Sequence, residues 1–424
     1  MSLFITDGNH RATLAAVRAL GRAGIKVTVG QEESSSIAGR SRYCATMVRY
    51  PSPLTEGSAF KLFLREEMRS GRYAVLLPMT DITTNHVAED AAELRQFVHL
   101  PLPELARIRK AQDKGETLAL ARRLGIACPA TVAAMNGGAV EQALETLSFP
   151  MVLKPRFSRV FQGAWHYGQV QYANDRDELI SKYQTAHAEI PYPLIQEKIE
   201  GEGRGMFLLL WNGELKAAFA HVRLREKPPS GGVSVCCKSI PLDKGLLEKS
   251  YMLLREIGWQ GPAMVEFKVD RRNGQPKLME INGRFWGSLQ LAIDAGMNFP
   301  LLLYRCALGE SVPFSADYKI GAKNRWLLGD LDHLVMRLRT PRDIDGSLFP
   351  DNSKISAVFE FLRFYERNLC YSDLRSDDLK PFLVECKKYL GKVYRKLPLS
   401  WCDAERMARE QPIARTGHIS GHGT

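Results

Sequence analysis

Several features that would place this 424-residue chain in a specialised class are missing from it. Its 8 cysteines include no C-x-x-C pair, so we expect reduced thiols rather than a zinc site or a disulfide framework. No apolar run approaches the roughly 18 residues of a transmembrane helix. No basic region followed by an apolar core opens the chain, so no signal peptide is expected. These absences favour a cytoplasmic protein with no membrane partner.

The charge of the chain is high, but it is not clustered. There are 58 Lys+Arg against 47 Asp+Glu, a net charge of +11, and the basic residues are dispersed. A nucleic-acid-binding face would collect them on one patch. We therefore expect a basic cleft for anionic small molecules and no nucleic-acid partner. The length suits two or three domains.

The N-terminal region has the alternation of a parallel α/β sheet. Apolar strands are predicted at residues 3–6, 25–29 and 73–77, with helices at 11–23 and 81–94. The first turn, Asp7-Gly8-Asn9-His10, has one glycine, whereas a dinucleotide fingerprint needs three. A Rossmann-like sheet without a nicotinamide site is therefore predicted, which disfavours a dehydrogenase.

The pattern changes after residue 110. Strands are predicted at 150–154, 193–199, 206–211 and 215–221, and residues 227–232 form a loop. Helices are predicted at 113–124, 289–295, 330–340 and 378–394. The polar residues from 402 onward are expected to be frayed.

A β-hairpin is predicted around Asn273-Gly274, a strong turn signal. With a three-residue loop at 272–274, the register pairs Glu266 with Glu280. Alternation then places Glu266, Glu280 and Asn282 on one face. The opposite, core-facing side would consist of five apolar residues: Val265, Phe267, Val269, Met279 and Ile281.

The polar face of this hairpin has the ligands of a magnesium site. Carboxylate and amide oxygens are hard donors, and like charges placed opposite each other are destabilising without a cation between them. The competing interpretation is a surface hairpin whose polar face meets water. The run that follows, residues 282–288, argues against it, because it carries the guanidinium of Arg284 among small residues.

The ordered set of motifs resembles the ATP-grasp superfamily of ligases, in particular its carboxylate-amine ligase and carbamoyl-phosphate-synthase-like members. The resemblance rests on Val-Leu-Lys-Pro, Ile-Gln-Glu-Lys-Ile, Val-Glu-Phe-Lys and Met-Glu-Ile-Asn-Gly-Arg. It implies an α/β (α+β grasp) fold: a Rossmann-like domain at 1–110 and an ATP-grasp domain at 111–312 with its lid at about 112–200. A mainly helical C-terminal extension would occupy 313–424.

The resemblance also implies roles for individual residues. Glu266, Glu280 and Asn282 would hold Mg²⁺ (or Mn²⁺), and Lys154 and Lys114 would contact the phosphates of ATP. Arg284, with Lys154, would act in catalysis by neutralising the transferred phosphoryl group. A purely structural pair between Arg284 and Glu280 is the alternative.

The adenine hinge implied by the resemblance consists of Gln196, Glu197, Lys198 and Ile199. Arg204 stands where the family often has an acidic residue or a histidine for the ribose, so Glu202 is the candidate for that contact.

The remaining candidates surround the substrates. The phosphate-covering loop, 157–168, has only two glycines, so Ser158, Arg159 or His166 would replace backbone amides. Arg223, Arg225 and Lys227 are expected to bind a substrate carboxylate, because a guanidinium fork matches it; a solvated basic loop is the alternative. His10, His166 and His221 are acid–base candidates, although lone histidines are more often structural.

The resemblance thus implies an ATP- and magnesium-dependent ligase that activates a carboxylate as an acyl phosphate and couples it to an amine or a similar nucleophile. Its partners would be those two small molecules, with a homodimer left open. Two alternatives remain. One is a carboxylase or carbamoyl-type enzyme that uses bicarbonate, although no biotin-accepting Met-Lys-Met is present. The other is a non-catalytic ATP-binding regulator.

Overall fold

The N-terminal part is built on a parallel sheet, as predicted. The computed structural model of the chain describes residues 2–135, 138–162, 164–341, 349 and 352–396. The first four strands are β1 (Ser2–Ile5), β2 (Lys26–Gln31), β3 (Cys44–Arg49) and β4 (Val75–Leu77), hydrogen-bonded in the order β3-β2-β1-β4. The helices are α1 (Arg11–Arg22), α2 (Gly57–Arg69), α3 (Asp81–Glu89) and α4 (Ala91–Leu94). Helix α1 buries Leu14, Val17 and Leu20 because their spacing places them on one face.

A second, smaller sheet lies within the region predicted to be the lid, and we call it the lid sheet. It contains β5 (Thr131–Val132), β6 (Met151–Lys154), β9 (Gln171–Ala173) and β10 (Leu194–Glu197) in the antiparallel order β5-β10-β6-β9. Between β6 and β9 lies a separate hairpin of β7 (Arg159–Gln162) and β8 (Ala164–Tyr167). The helices of this region are α5 (Leu105–Gln112), α6 (Lys114–Arg123), α7 (Ala139–Thr146) and α8 (Arg176–Glu189).

The third sheet has seven strands and forms the floor of the molecule. It consists of β11 (Gly201–Trp211), β12 (Glu214–Lys227), β13 (Val233–Ser239), β14 (Gly261–Asp270), β15 (Pro276–Asn282), β16 (Lys323–Arg325) and β17 (Leu369–Tyr371). Their order is β15-β14-β11-β12-β13-β16-β17. The helices are α9 (Lys244–Ile257), α10 (Leu289–Asp294), α11 (Phe299–Ala307), α12 (Leu327–Arg339), α13 (Lys354–Leu362) and α14 (Lys380–Lys396).

The hairpin β14–β15 confirms one prediction and corrects two others. Glu266 pairs with Glu280, as predicted. The loop, however, has four residues, because the Asp270 amide donates to the Gln275 carbonyl. A bulge at Met279 restores the register. The expectation that Met279 faces the core was therefore wrong: Leu278 is buried there instead, and Met279 lines a cavity.

The segment after residue 312 is not only helical. Strands β16 and β17 extend the large sheet, and β16 pairs with β13. The same segment is attached to α1 through Arg18, which is 0% exposed and donates to the Asp378 carboxylate at 2.8 Å. The tail from residue 402 lies outside the described residues.

Within the described part of the chain, no helix is long and apolar enough to cross a membrane. The seven cysteines that the structure describes are all free.

Candidate functional site

A cavity of about 820 Å³ lies between the lid sheet and the large sheet. The structure brings most of the predicted site residues to its wall. These are Lys114, Lys154, Gln196, Glu197, Lys198, Ile199, Glu202, Arg223, Glu266, Glu280, Asn282 and Arg284. Arg225 and Lys227 are not among its lining residues.

The two hairpin carboxylates are compensated by cations from other elements. Arg223 of β12 contacts the Glu266 carboxylate, and the Lys114 ammonium lies 3.8 Å from Glu280. Asn282 donates to Glu280 at 2.9 Å. Burial raises the pKa of Glu266, and the neighbouring Glu280 raises it further. Burial acts in the same direction on Glu280, but Lys114 and Asn282 outweigh it and lower the pKa of that carboxyl.

Two lysines from the lid side face this acidic pair. Lys114 is the first residue of α6, is 9% exposed, and donates to Ser158 at 2.9 Å. Lys154 ends β6; burial lowers its pKa, while Glu280 and Glu266 oppose that shift. In the described part of the chain, Lys154 forms no ion pair within 4 Å. A compact ammonium with no fixed partner is suited to a phosphate group.

Alternating glycines open the floor beneath the acidic pair. Along β11, Gly203 lies beside Arg223, and Gly205 pairs both with His221 on β12 and with Glu266 on β14. A Cβ on Gly205 would lie 2.5 Å from the Phe207 ring and 2.9 Å from His221. Since glycine has no side chain, the Arg223 side chain of β12 crosses β11 and contacts Glu266 on β14. The repeated Gly-x-Gly-x-Gly of residues 201–205 was the sequence signal for this floor.

Arg284 is held by the N-terminal region rather than by Glu280. Its Nε donates to Asp81 of α3 at 3.0 Å, and its Nη1 donates to the Phe285 carbonyl at 3.1 Å. The alternative prediction, that Arg284 forms a structural pair with Glu280, is therefore wrong, because Arg284 pairs with Asp81 instead. Arg284 Nη2 lies 3.5 Å from the Asn282 side-chain oxygen, so the guanidinium remains beside the acidic face.

The hinge segment ties the lid to the hairpin tip. The Glu197 carboxylate accepts from the Ala130 amide at 2.9 Å, from Lys277 at 2.5 Å and from Arg272 at 3.0 Å. Burial would raise the pKa of Glu197, but these hydrogen bonds lower it. The Glu202 carboxylate is paired with Arg204 at 2.8 Å, at the rim of the cavity.

A bulge in β12 separates the three basic residues that we expected to act together. The register shifts between Arg223 and Arg225, so only Arg223 reaches the cavity. Arg225 donates to both carboxylate oxygens of Asp330 on α12, at 2.6 and 2.9 Å. Lys227 contacts Asp332 of the same helix. Both side chains thus anchor α12 to the sheet.

Among the histidine candidates, only His221 is placed on the cavity wall. Its ring is 1% exposed, and neither ring nitrogen has a partner in the described part of the chain. Burial, with a smaller effect of Arg223, lowers the pKa of His221 well below its usual value. His10 does not line the cavity, and the side chains of Arg159 and His166 lie outside the described part.

Sequence reasoning gave no role to several other residues of the same wall, among them Arg11 and Trp286. Arg11 begins α1, about 190 residues before Gly201, the first cavity residue of the large sheet, and no local pattern marks it. Trp286 belongs to the run after the hairpin, which drew attention through Arg284 instead.

The donor set suits a magnesium ion that keeps other ligands. Among the described residues, no group of three or more His, Cys, Asp or Glu side chains forms a cation site. Two carboxylates and one amide oxygen leave several coordination positions to water and phosphate, as Mg²⁺ prefers. The paired carboxylates are also the arrangement that a cation would stabilise.

Comparison with known proteins agrees with the predicted superfamily. Residues 189–327 match the family described as "ATP-grasp in the biosynthetic pathway with Ter operon". No curated protein matches the chain.

Solved structures share the fold at low sequence identity. The L-amino acid ligase of Bacillus licheniformis has a TM-score of 0.58 at 18% identity, over 76% of this chain and 78% of that one. The N5-carboxyaminoimidazole synthetase of Staphylococcus aureus has a TM-score of 0.60 at 16% identity, over 78% and 83%.

A third structure was solved with bound nucleotide. It is the biotin carboxylase domain dimer of the Hydrogenobacter thermophilus 2-oxoglutarate carboxylase, with MgADP, ADP and bicarbonate. Its TM-score is 0.60 at 15% identity, over 76% of this chain and 73% of that one. The chain therefore has the ATP-grasp fold, and residues 189–327 carry the signature of that superfamily.

Proposed function

We propose that the chain is an ATP- and magnesium-dependent ligase that activates a carboxylate as an acyl phosphate and couples it to an amine. One observation carries the proposal. Glu266 and Glu280 face each other on the floor of the cavity, and Lys114, Lys154 and Arg223 surround them. Acidic metal ligands and phosphate-binding cations in one cavity are the parts that phosphoryl transfer requires.

The cavity residues would have different roles according to their positions. Lys154 and Lys114 would hold the phosphates, with Gln196, Glu197, Lys198 and Ile199 along the adenine and Glu202 near the ribose. Glu266, Glu280 and Asn282 would hold magnesium, which when bound offsets charge on the β- and γ-phosphates. Arg284 and Arg223 would face the reacting carboxylate, since a guanidinium binds such a group through two hydrogen bonds.

The chemistry consists of two displacements. A carboxylate oxygen of the substrate attacks the γ-phosphorus, and the bond to ADP breaks. The amine nitrogen then attacks the acyl carbon, phosphate leaves, and the nitrogen loses a proton. Because water would hydrolyse the acyl phosphate, closure of the lid over the cavity protects it.

The test is release of ADP and phosphate from magnesium and ATP against a panel of carboxylates, with hydroxylamine as a nucleophile that traps acyl phosphates. We expect hydroxamate from at least one carboxylate. Glu280→Gln should lower that turnover by about 100-fold or more. The matched control is Glu248→Gln, an exposed residue of α9, which should behave as wild type.

Other outcomes separate the alternatives. Turnover that requires bicarbonate and no other acid would identify the carboxylase or carbamoyl-type enzyme instead. Magnesium-dependent ATP binding without hydroxamate on any carboxylate would favour the regulator. Absence of magnesium-dependent ATP binding would reject the assignment of Glu266, Glu280 and Asn282.

A further inference from the structure

One basic side chain of the cavity comes from the N-terminal region and takes no part in the proposed phosphate chemistry. Arg11 of α1 places its guanidinium 4.0 Å from the centre of the Trp326 ring. Its Nη2 donates to the Ser234 carbonyl at 3.4 Å, a long hydrogen bond. Within the described ranges, no carboxylate forms an ion pair with it, although Asp373 and Glu385 lie near enough to affect its charge. The guanidinium therefore retains free donors.

The residues around Arg11 leave space for its guanidinium. A Cβ on Gly287 would lie 2.9 Å from Arg11 Nη2, so only glycine leaves this space open. The adjacent Trp286 is 2% exposed, and its indole N–H has no acceptor among the residues that the structure describes. Both residues line the cavity. Trp286 thus supplies a buried donor without an acceptor in that part of the chain, one residue from the glycine that the Arg11 guanidinium approaches.

A second group without a partner lies nearby on the same wall. Phe207 packs against Trp286 with ring centres 4.2 Å apart and against His221 with centres 4.6 Å apart. The unpartnered nitrogens of His221 and Trp286 therefore belong to one rigid aromatic cluster. Buried polar groups are normally satisfied, so a polar group of a bound molecule would complete this wall.

Arg11 contacts a different strand of the large sheet from the two that carry the acidic pair. Its contact Ser234 is on β13, three strands from Glu266 on β14 and four from Glu280 on β15, which is about 14 to 19 Å at roughly 4.8 Å per strand. The carboxylate that reacts must lie beside the phosphates, near Arg223 and Arg284. An anion at Arg11 therefore belongs to a different part of the substrates.

We infer that Arg11 binds the carboxylate of the nucleophile, so that the amine substrate is an amino acid. A planar guanidinium stacked on an aromatic ring is pre-organised to bind a carboxylate through two hydrogen bonds. Trp286 and His221 line the same cavity as Arg11, and their ring nitrogens have no partners among the described residues. This inference rests on the proposed function, because it assigns the second substrate of that reaction.

Calorimetric titration of the full chain with magnesium and ADP present tests the inference. The titrants are the twenty common L-amino acids and the corresponding amides, which keep the amine and lack the carboxylate. We expect at least one amino acid to bind at least about 30-fold more tightly than its amide. Arg11→Gln should remove that preference, and Arg11→Lys should restore it only in part, since a lysine keeps the charge and loses the fork.

A matched control is available on the same helix. Arg22 also stacks on an aromatic ring, that of Tyr43, but it is exposed and distant from the cavity. Arg22→Gln should bind amino acids and amides as wild type does. In turnover assays, the loss in Arg11→Gln should appear in the KM for the amino acid more than in kcat.

Three results would overturn the inference: equal binding of acid and amide by the wild type, an unchanged preference in Arg11→Gln, or no binding of any amino acid. The comparison of acid with amide in the wild type does not depend on the folding of any variant. Magnesium-dependent ATP binding and hydroxamate formation are measured separately, so a failure of the proposed function is distinguishable from a failure at Arg11.

Discussion

At the scale of single residues, the charges of the cavity compensate one another only in part. Arg223 is paired with Glu266 and with Glu226, and Lys114 lies near Glu280. Lys154, by contrast, has no ion pair within the described part of the chain. Because burying a charge without a partner is costly, a polyphosphate beside Lys154 would be stabilised by a charge already in place.

The buried histidine of the cavity wall predicts how stability responds to acid. The pKa of His221 is lowered in the folded chain, so below about pH 6.5 the unfolded chain binds a proton that the folded chain does not. The free energy of unfolding should fall by up to about 1.4 kcal/mol per pH unit from this group. His221→Phe should reduce the slope in urea unfolding measured from pH 7.5 to 5.5.

A second buried histidine, His333, limits how much the pH slope of stability should change. Its pKa is also lowered by burial, so the slope should decrease in His221→Phe without disappearing. His99→Phe, at an exposed position, serves as the control and should keep the slope of the wild type. An unchanged slope in His221→Phe would show that this ring is protonated in the folded chain.

At the scale of elements, the glycines of β11 make a prediction about packing. Ala at Gly205 would place a methyl 2.5 Å from the Phe207 ring, which is fully buried and has no room to move. Overpacking of this kind costs about 1–3 kcal/mol. Urea unfolding of Gly205→Ala should show a loss of that size.

The control for this substitution lies two residues away on the same strand. Ala at Gly203 would meet the flexible Arg223 side chain at 3.2 Å, so its cost should stay below about 1 kcal/mol. Equal losses in the two variants would contradict the expectation that the Phe207 ring yields less to an added methyl than the flexible Arg223 side chain does.

The β14–β15 hairpin could be predicted from the sequence only in part. The pairing of Glu266 with Glu280 was predictable because period-2 alternation and the Asn-Gly turn both act locally. Even so, the loop was one residue longer than expected, and the bulge at Met279 offset the difference. Hairpin length and bulge position depend on packing against other elements, and no local pattern records them.

Other parts of the site could not be predicted from local sequence patterns. Arg225 appeared equivalent to Arg223, but the register shift in β12 and the carboxylate of Asp330 on α12 separate the two. Arg11 joins the cavity through a contact between surfaces more than 200 residues apart in the chain. Periodicity identifies which face of an element is buried, but it does not identify the partner of that face.

At the scale of the whole molecule, a buried ion pair joins the two ends of the described chain. Arg18 of α1 donates to the Asp378 carboxylate and to the carbonyls of Ser372 and Asp373. Removing one partner of a buried pair leaves an uncompensated charge, which costs about 3–5 kcal/mol. Arg18→Met should therefore lose that much in the free energy of unfolding by urea.

An exposed pair on the same helix provides the comparison. Arg22 lies 2.7 Å from Asp377, and both side chains are more than one third exposed. Pairs of this kind contribute about 0–1 kcal/mol, so Arg22→Met should change little. If Arg18→Met were as mild, the contact between α1 and the segment around residue 378 would not be maintained in solution.

The Arg18 contact also bears on the order in which the chain is completed during synthesis. Residue 18 is made before its acceptors, residues 372–378, which follow some 350 residues later. Until those acceptors emerge from the ribosome, helix α1 carries an arginine whose buried position lacks its counter-charge. Helix α1 is therefore made well before the contact that completes its stability can form.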